Sequence, residues 1–401
     1  MRGHIRLRGK TWYAVLSSRD EFGRRKTIWR SLPDAHGKRE AQDMCNVLRQ
    51  EMKSGKYIGK KGTTLAEWAE HWLRIGCPGK KKRQVGNKSR EQYGQLLRVH
   101  ALPFRDRPND PTLGSRRLQD ITSKEIDRLY EELKKKLGNS TREALHTVLQ
   151  SCLNAAMTAK EIAANPVDGV LIVPRRIKGE VNHGKCLDAD QMRDLIRKTG
   201  DHPLCPIIAF ACLTGARRGE ILALQWGDVD LAAKKITIRR SLEQTEEGIT
   251  SKGTKTGNER EIGISDDLVD LLRVERDRHL RIVASVPDGV DVDLSLVRLP
   301  QGALVFPLLS RGEKPDLTRP RSPKAVSNMF TLLAAQVGYK GLRFHDLRGS
   351  HGTALLNAGE PVHSVAARLG HDPTMLLKAY AKRTETADAK IVQSVAGMGL
   401  L

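Results

Sequence analysis

A chain of 401 residues is longer than one ordinary core sustains, so two or three domains are expected, and the organisation of the sequence favours three. Lys and Arg number 69 against 47 Asp and Glu, a formal charge of +22, which suits a polyanionic partner because each neutralised phosphate releases condensed counterions. No run approaches the roughly 18 apolar residues of a membrane span, and the start of the chain lacks the apolar stretch of a secretion signal, so a cytoplasmic, non-membrane protein is expected.

Residues 4 to 32 alternate as short strands do. Ile5 and Leu7 oppose Arg6 and Arg8, Trp12, Ala14 and Leu16 share one side, and a third strand runs from Lys26 to Leu32 after the turn Asp20-Glu21-Phe22-Gly23. Ala41, Met44, Cys45, Leu48 and Met52 recur at helical spacing, which predicts a helix between about 38 and 54 over the apolar side of the sheet. The other side carries arginines, and it reads either as a solvated basic face or as a sheet that lies in a DNA groove.

From Thr64 the periodicity becomes helical. Thr64 and Glu67 have the spacing of a capping box ahead of Leu65, Trp68, Ala69 and Trp72. Further helices are predicted over residues 87–100, 122–137 (Thr122 with Glu125) and 140–160, an all-α bundle. The run Gly79-Lys80-Lys81-Lys82-Arg83 reads as a solvated loop or as a phosphate contact. Asn165-Pro166 ends the bundle, and Pro174-Arg175-Arg176-Ile177-Lys178-Gly179 reads as a basic linker. A new, mainly helical domain opens near Asp188, which with Gln191 caps the helix carrying Met192, Leu195 and Ile196. Strands are predicted at Lys235 to Ser241 and Glu259 to Ile264. Cys45, Cys77, Cys152, Cys186, Cys205 and Cys212 are scattered without a CxxC pair, so buried free thiols are expected rather than disulfides or a zinc site.

Cleaving a phosphodiester without a metal needs a nucleophile, cations around a trigonal-bipyramidal phosphate, and an acid for the departing oxygen. Arginine suits the second task, because its planar fork donates parallel hydrogen bonds and stays charged. Four places in the last domain supply such groups. Thr214-Gly215-Ala216-Arg217-Arg218-Gly219-Glu220 joins two apolar helices, and Thr254-Lys255-Thr256-Gly257 is a loop between strands. His345-Asp346-Leu347-Arg348 sets imidazole and guanidinium on one helical face, and Leu369-Gly370-His371-Asp372-Pro373 precedes a helix that carries Tyr380. Taken singly each has an ordinary explanation: a surface arginine, a salt-bridge network with Asp346, or a tyrosine in an amphipathic core.

Together, in this order, the motifs resemble those of the tyrosine recombinases, or phage integrases. That pattern is a T-G-x-R-x-x-E box, a lysine in a β-turn, an H-x-x-R box, and L-G-H with tyrosine nine residues after the histidine, and all of it is present. The resemblance extends over essentially the whole chain and implies a three-domain integrase of a prophage or conjugative transposon. The implied fold is mainly α with small β. It comprises an arm-type DNA-binding domain (1–57, β-β-β-α), a helical-bundle, SAM-like core-binding domain (63–170), a basic linker (171–185), and a mixed, mostly-α catalytic domain with a C-terminal tail (186–401).

The resemblance also implies roles. Tyr380 is the nucleophile that makes a 3′-phosphotyrosine, Arg217 and Arg348 hold the non-bridging oxygens, and His371 adds a hydrogen bond to them. Lys255 is the acid for the leaving 5′ oxygen and His345 the proton acceptor near Tyr380. Glu220 reads as structural or orienting, since a carboxylate beside the phosphate would repel it. No cofactor, ATP or metal is implied. The implied partners are double-stranded DNA at core and arm-type sites, further copies of the chain in a tetrameric synapse, and DNA-bending and excisionase factors. The tail either packs on a neighbouring protomer or folds back on its own domain. Two rivals stand beside this reading: a type IB topoisomerase-like enzyme, which would need less DNA-binding apparatus ahead of its catalytic domain, and a catalytically silent DNA-binding regulator, which would be marked by a lost arginine or tyrosine.

Overall fold

The architecture comes from a computed structural model that describes residues 2–19, 24–53, 61–79, 84–171, 173–174, 185–253, 259–309 and 316–374. The expected turn at Asp20 to Gly23, the cationic run from Lys80 to Arg83, the linker from Arg175 to Gly179, Lys255 with its loop, and Tyr380 with the tail lie outside these residues. The chain divides into two units, Met1–Glu180 and Val181–Leu401.

In the first unit β1 (Arg2–Arg8), β2 (Thr11–Arg19) and β3 (Arg25–Leu32) pair antiparallel in that order, with Ile5 opposite Ala14 and Trp12 opposite Leu32. Side chains alternate across a strand, so this register collects Ile5, Trp12, Ala14, Leu16 and Leu32 on one face. There α1 (Lys38–Lys53) packs Ala41, Met44, Cys45, Leu48 and Met52 against them, the contact its periodicity predicted. On the other face Arg6 and Arg8 lie over the ring of Trp29, 5.7 and 4.7 Å from its centroid, and Tyr13 meets that ring edge-on. The basic face is therefore organised on aromatic rings, which hold guanidinium groups by their negative π-face.

The helical part of this unit contains α2 (Leu65–Arg74), α3 (Asn87–Leu96), α4 (Ser123–Lys134) and α5 (Asn139–Thr158) around a core of their own. Both expected capping boxes form. Thr64 accepts from the Glu67 backbone while Glu67 accepts from Thr64 N–H, and Thr122 and Glu125 repeat the exchange. Trp68 and Trp72 bury their rings and still satisfy their indole N–H groups, on the carbonyls of Cys152 (3.0 Å) and Pro78 (3.2 Å). The helix expected over 87–100 does not stay α to its end. Leu97–Ala101 is a π-helical turn, whose wider winding turns Leu97 and Ala101 into the core.

The second unit is mixed, mostly α. It comprises α6 (Ala189–Lys198), α7 (Cys205–Thr214), α8 (Arg218–Ala223), β4 (Val229–Asp230), β5 (Lys235–Ile238), β6 (Arg240–Thr245), β7 (Gly248–Gly253), β8 (Arg260–Gly263), α9 (Asp266–Ala284), α10 (Pro323–Gln336), α11 (Phe344–Asn357) and α12 (Val362–Leu369). The sheet order is β4-β5-β8, and β6-β7 is a separate hairpin. The expected strand Lys235 to Ser241 is thus two strands, and the segment from Gly248 to Gly253, too polar to show an alternation, was not foreseen. α7 is apolar all round and lies at the centre, with Ile207, Ile208, Phe210 and Ala211 buried against α9 and against Phe306, Phe330 and Phe344 from other elements. The box Asp188 with Gln191 caps α6 as expected.

None of the cysteines is in a disulfide. Cys45, Cys77, Cys152 and Cys212 are buried, Cys205 is half-buried, and Cys186 departs from the expectation by being exposed. Burial pushes the Cys77 thiol up to about 11 and that of Cys212 up to about 12, so these are inert packing groups. Among the described residues no helix is long and apolar enough to cross a membrane.

Candidate active site

The site is assembled from the ends of α7, α8, α11 and α12 in the second unit. α7 stops at Gly215, whose φ of +64° is open to glycine and strained for other residues. Space imposes glycine as well, because a Cβ there would lie 2.6 Å from His351 Cδ2 and from Leu369 Cδ2. The chain reverses through this point, with Thr214 Oγ1 accepting from Ala216 N–H at 3.2 Å, and delivers Arg217 as the N-cap of α8. Glu220, one turn on, accepts Arg217 N–H at 2.9 Å and the Arg217 guanidinium at 2.7 Å, while a second Arg217 nitrogen donates to the Gly370 carbonyl at 2.8 Å.

Arg348 comes from the second turn of α11, near its N-terminal end, and is only 3% exposed. It donates to the carbonyls of Gly215 (2.7 Å) and Leu369, its Nε is buried with no partner, and among the described residues no carboxylate lies within ion-pair distance. Burial, then the like charge of Arg217, lowers its pKa to about 9, which still leaves it a cation at neutral pH. The network with Asp346 that one reading allowed is absent from it: Asp346 caps α11 and binds Arg343 instead, at 2.8 Å. A buried cation without a counter-charge is costly unless an anion arrives to pair with it.

His345 and His371 flank the arginines. His345 keeps much of its surface open to solvent, yet desolvation by the atoms around its ring, followed by repulsion from Arg348, lowers its pKa. His371 follows Gly370, the left-handed C-cap of α12, and desolvation with the charges of Arg348 and Arg217 lowers its pKa to about 4. Both rings are therefore neutral at physiological pH, the state in which one ring nitrogen donates and the other accepts. Helical backbone resumes at Pro373. Of the six residues singled out, the structure brings Arg217, His345, Arg348 and His371 within electrostatic reach of one another, while Lys255 and Tyr380 lie outside the described residues. The flanks of the Lys255 loop are strands, β7 before it and β8 after it.

The sequence pattern of the phage integrase family matches residues 185–386, half of the chain, and encloses all of these groups. The chain belongs to the phage integrase family of tyrosine recombinases. The integrase of Streptomyces ambofaciens is 27% identical over 194 residues, 48% of this chain, which spans about half (46%) of that relative's length. A XerC-like tyrosine recombinase of Caldanaerobacter subterraneus subsp. tengcongensis is 23% identical over 385 residues, 90% of each chain. Among solved structures, the Tn1549 transposon integrase in complex with a circular intermediate DNA superposes with a TM-score of 0.61 at 19% identity, covering 82% of this chain and 99% of that one. A lambda integrase tetramer bound to a Holliday junction gives 0.53 at 16% identity, covering 92% and 95%. At these identities the likeness is one of fold.

Three groups of this chain carry structural weight that no motif announced. Arg260 opens β8 and binds both oxygens of Glu220, at 3.1 and 2.6 Å. Arg368 donates to the carbonyls of Gly263 and Leu213 and to His351 Nε2. His351 in turn bonds through Nδ1 to the Cys212 carbonyl at 2.8 Å; a carbonyl only accepts, so Nδ1 carries the proton and Nε2 is the acceptor for Arg368. Their signals were weak in the sequence because Arg260 stands between two glutamates as an ordinary surface arginine would, and Arg368 and His351 stand singly beside apolar or small residues.

His351 and His279 predict an acid limit for the second unit. Desolvation first, then neighbouring arginines, lowers both to about 4 from an ordinary 6.5, and His279 is held neutral as the acceptor of Trp226 Nε1–H at 2.9 Å. The folded state thus binds fewer protons than the unfolded chain once pH falls below 6.5. Stability is full above that pH and is lost progressively as pH falls through the window down to about 4, on the order of 3 kcal/mol for each ring. Urea midpoints of the second unit's transition are expected to fall steadily between pH 7 and 4.5, and His279→Gln, which keeps an acceptor for Trp226, should flatten the slope. An unchanged midpoint across that range would contradict the assignment.

Proposed function

We propose that this chain is a site-specific DNA integrase that cuts and rejoins duplex DNA through a 3′-phosphotyrosine at Tyr380, with residues 1–57 as arm-type DNA-binding domain, 63–170 as core-binding domain, 171–185 as linker and 186–401 as catalytic domain with its tail. The observation that carries it is Arg348, a buried guanidinium with an unpartnered Nε and no contacting carboxylate among the described residues, beside a second cation, Arg217. Two adjacent arginines fit the non-bridging oxygens of one phosphate.

In the proposed reaction the Tyr380 oxygen attacks the scissile phosphorus and forms the P–O bond of the phosphotyrosine. The P–O5′ bond breaks, the phenolic proton passes to His345, and Lys255 protonates the departing 5′ oxygen. Neutral His345 is suited to accept that proton, and neutral His371 to donate its remaining N–H to a non-bridging oxygen. The new bond conserves the energy of the old one, so a second 5′-hydroxyl reverses the step on a different strand. The DNA complexes of the Tn1549 and lambda integrases support DNA as partner, and the lambda tetramer supports assembly of four copies on two duplexes. The relatives are integrases and a recombinase, which favours this reading over a topoisomerase or a silent regulator. Excisionase and DNA-bending factors, and a cytoplasmic, nucleoid-associated location, complete the proposal.

The test is a suicide duplex built from the end sequences of the encoding element, nicked so that the freed 5′ segment is lost. Wild-type chain is expected to accumulate a denaturant-resistant protein–DNA adduct, in chelator as well as in magnesium, with the protein on the 3′-phosphate end of the strand segment that lies on the 5′ side of the break. An adduct that requires magnesium, or one on the 5′ phosphate, would refute the mechanism.

A further inference from the structure

The C-terminal end of α12 gathers three arginines. Its last successive carbonyls each accept one guanidinium: that of Arg368 from Arg260 Nε at 3.0 Å, that of Leu369 from Arg348, and that of Gly370 from Arg217 at 2.8 Å. Carbonyls at a helix C-terminus have no intrahelical partner and carry the negative end of the helix dipole, so three cations converge there at a reduced electrostatic cost. Two of them are the proposed phosphate ligands. The third, Arg260, is turned inward, with its side chain 12% exposed and every nitrogen engaged by protein.

Glu220 is the other half of the arrangement. It is 2% exposed, and each of its oxygens takes one bond from Arg217 and one from Arg260. A carboxylate this close to Arg217 opposes a phosphate, and opposes a transition state of higher negative charge more strongly. Arg260 supplies the compensating cation through a planar two-bond fork, and its Nε ties the same unit to α12 just ahead of His371.

We propose that Arg260 is a positioning residue for strand cleavage: by neutralising Glu220 and holding the end of α12, it leaves Arg217 and Arg348 with their full charge toward the phosphate and keeps His371 in line with them. This rests on the recombinase reading above. It assigns Arg260 an effect on the chemical step and none on DNA affinity, since the guanidinium is spent on protein groups.

The experiment is single-turnover cleavage of the nicked suicide duplex by the full-length chain, with gel-shift affinity and a urea midpoint measured on the same preparations. Arg260→Gln is expected to bind the duplex within about threefold of wild type and to cleave it at least ~100-fold more slowly, the scale of phosphate-holding arginines displaced by about 1 Å. Arg260→Lys, which keeps the cation, should cleave at least ~10-fold faster than Arg260→Gln. Adding Glu220→Gln to Arg260→Gln should recover at least ~10-fold, because the uncompensated carboxylate is removed, whereas a loss through packing would deepen. Should Arg260→Gln lose its cooperative unfolding transition, Arg260→Lys and the double variant carry the test, compared with wild type and with each other. Cleavage by Arg260→Gln within about threefold of wild type, a parallel loss of affinity, or a double variant slower than the single one overturns the proposal while the recombinase reading stands. No adduct from the wild type overturns that reading and this proposal with it.

Discussion

Tyr380→Phe is expected to bind duplex DNA as the wild type does and to form no covalent adduct with it. The substitution removes one oxygen, the atom that makes the new bond to phosphorus, and leaves the ring. Losing the nucleophile of a covalent mechanism costs at least about 10⁴ in rate, below what a denaturing gel detects. DNA affinity, spread over many phosphate contacts, should change by no more than about twofold. The other tyrosine of the catalytic unit offers no substitute. Tyr339 bonds through its hydroxyl to Asp194 at 2.8 Å and to the Gln191 carbonyl, and burial with the charge of Asp194 pushes it up to about 12. In the first unit Tyr130 is buried against His146, with its hydroxyl pushed up by burial, and Tyr93 is stacked on Trp72. An adduct that survived in Tyr380→Phe, mapped by proteolysis to any of these, would end the assignment.

The site was legible to the extent that its chemistry depends on residue type at fixed spacing. Arg217 and Glu220 are joined because positions three apart share a helix face and an N-cap, and the triplet from Gly370 to Asp372 shows because a left-handed C-cap demands glycine. Arg260 and Arg368 were not legible. Their contacts join β8, α8, α12 and the end of α7, across sequence separations such as 108 residues between Arg260 and Arg368, and no local spacing encodes those meetings. Burial was hidden for the same reason. Nothing in His345-Asp346-Leu347-Arg348 distinguishes the exposed histidine from the arginine sunk beneath it, since that depends on which face of α11 meets α7 and α12.

The fold divides along a similar line. Capping boxes at Thr64, Thr122 and Asp188 and the apolar face of α1 follow from contacts within a few residues, and they were readable. The β6-β7 hairpin has no buried strand face to impose alternation: Arg240–Thr245 is half-buried throughout and Gly248–Gly253 is almost wholly exposed. Its partner is itself, and the constraint comes from α8, where a Cβ at Gly219 would lie 2.6 Å from the Leu242 carbonyl oxygen. Gly219, at an unspecified position of the motif between Arg217 and Glu220, is thus fixed by the need to let a strand approach a helix.

Glu220→Ala is expected to destabilise the catalytic unit by about 3–5 kcal/mol and to abolish cleavage as well. Burial alone would push this carboxyl up, but the bonds and charge of Arg260, followed by the bonds from Arg217, more than offset it and hold the group below its ordinary value. The carboxylate is thus ionised in the folded protein and serves as the hub of four hydrogen bonds. Removing it leaves Arg260 buried without an anion, leaves Arg217 N–H at the start of α8 without its acceptor, and adds repulsion between two guanidiniums already shared with Arg348. Glu220→Gln should cost less, because its amide oxygen still accepts from Arg217, and the difference between the two variants measures how much of the penalty is the lost acceptor rather than the lost charge. Urea unfolding monitored on the catalytic unit at pH 7 gives both values. A loss below about 1 kcal/mol for Glu220→Ala would mean that the arginines find solvent or another anion when the carboxylate is gone, and the buried hub inferred for this site would have to be abandoned.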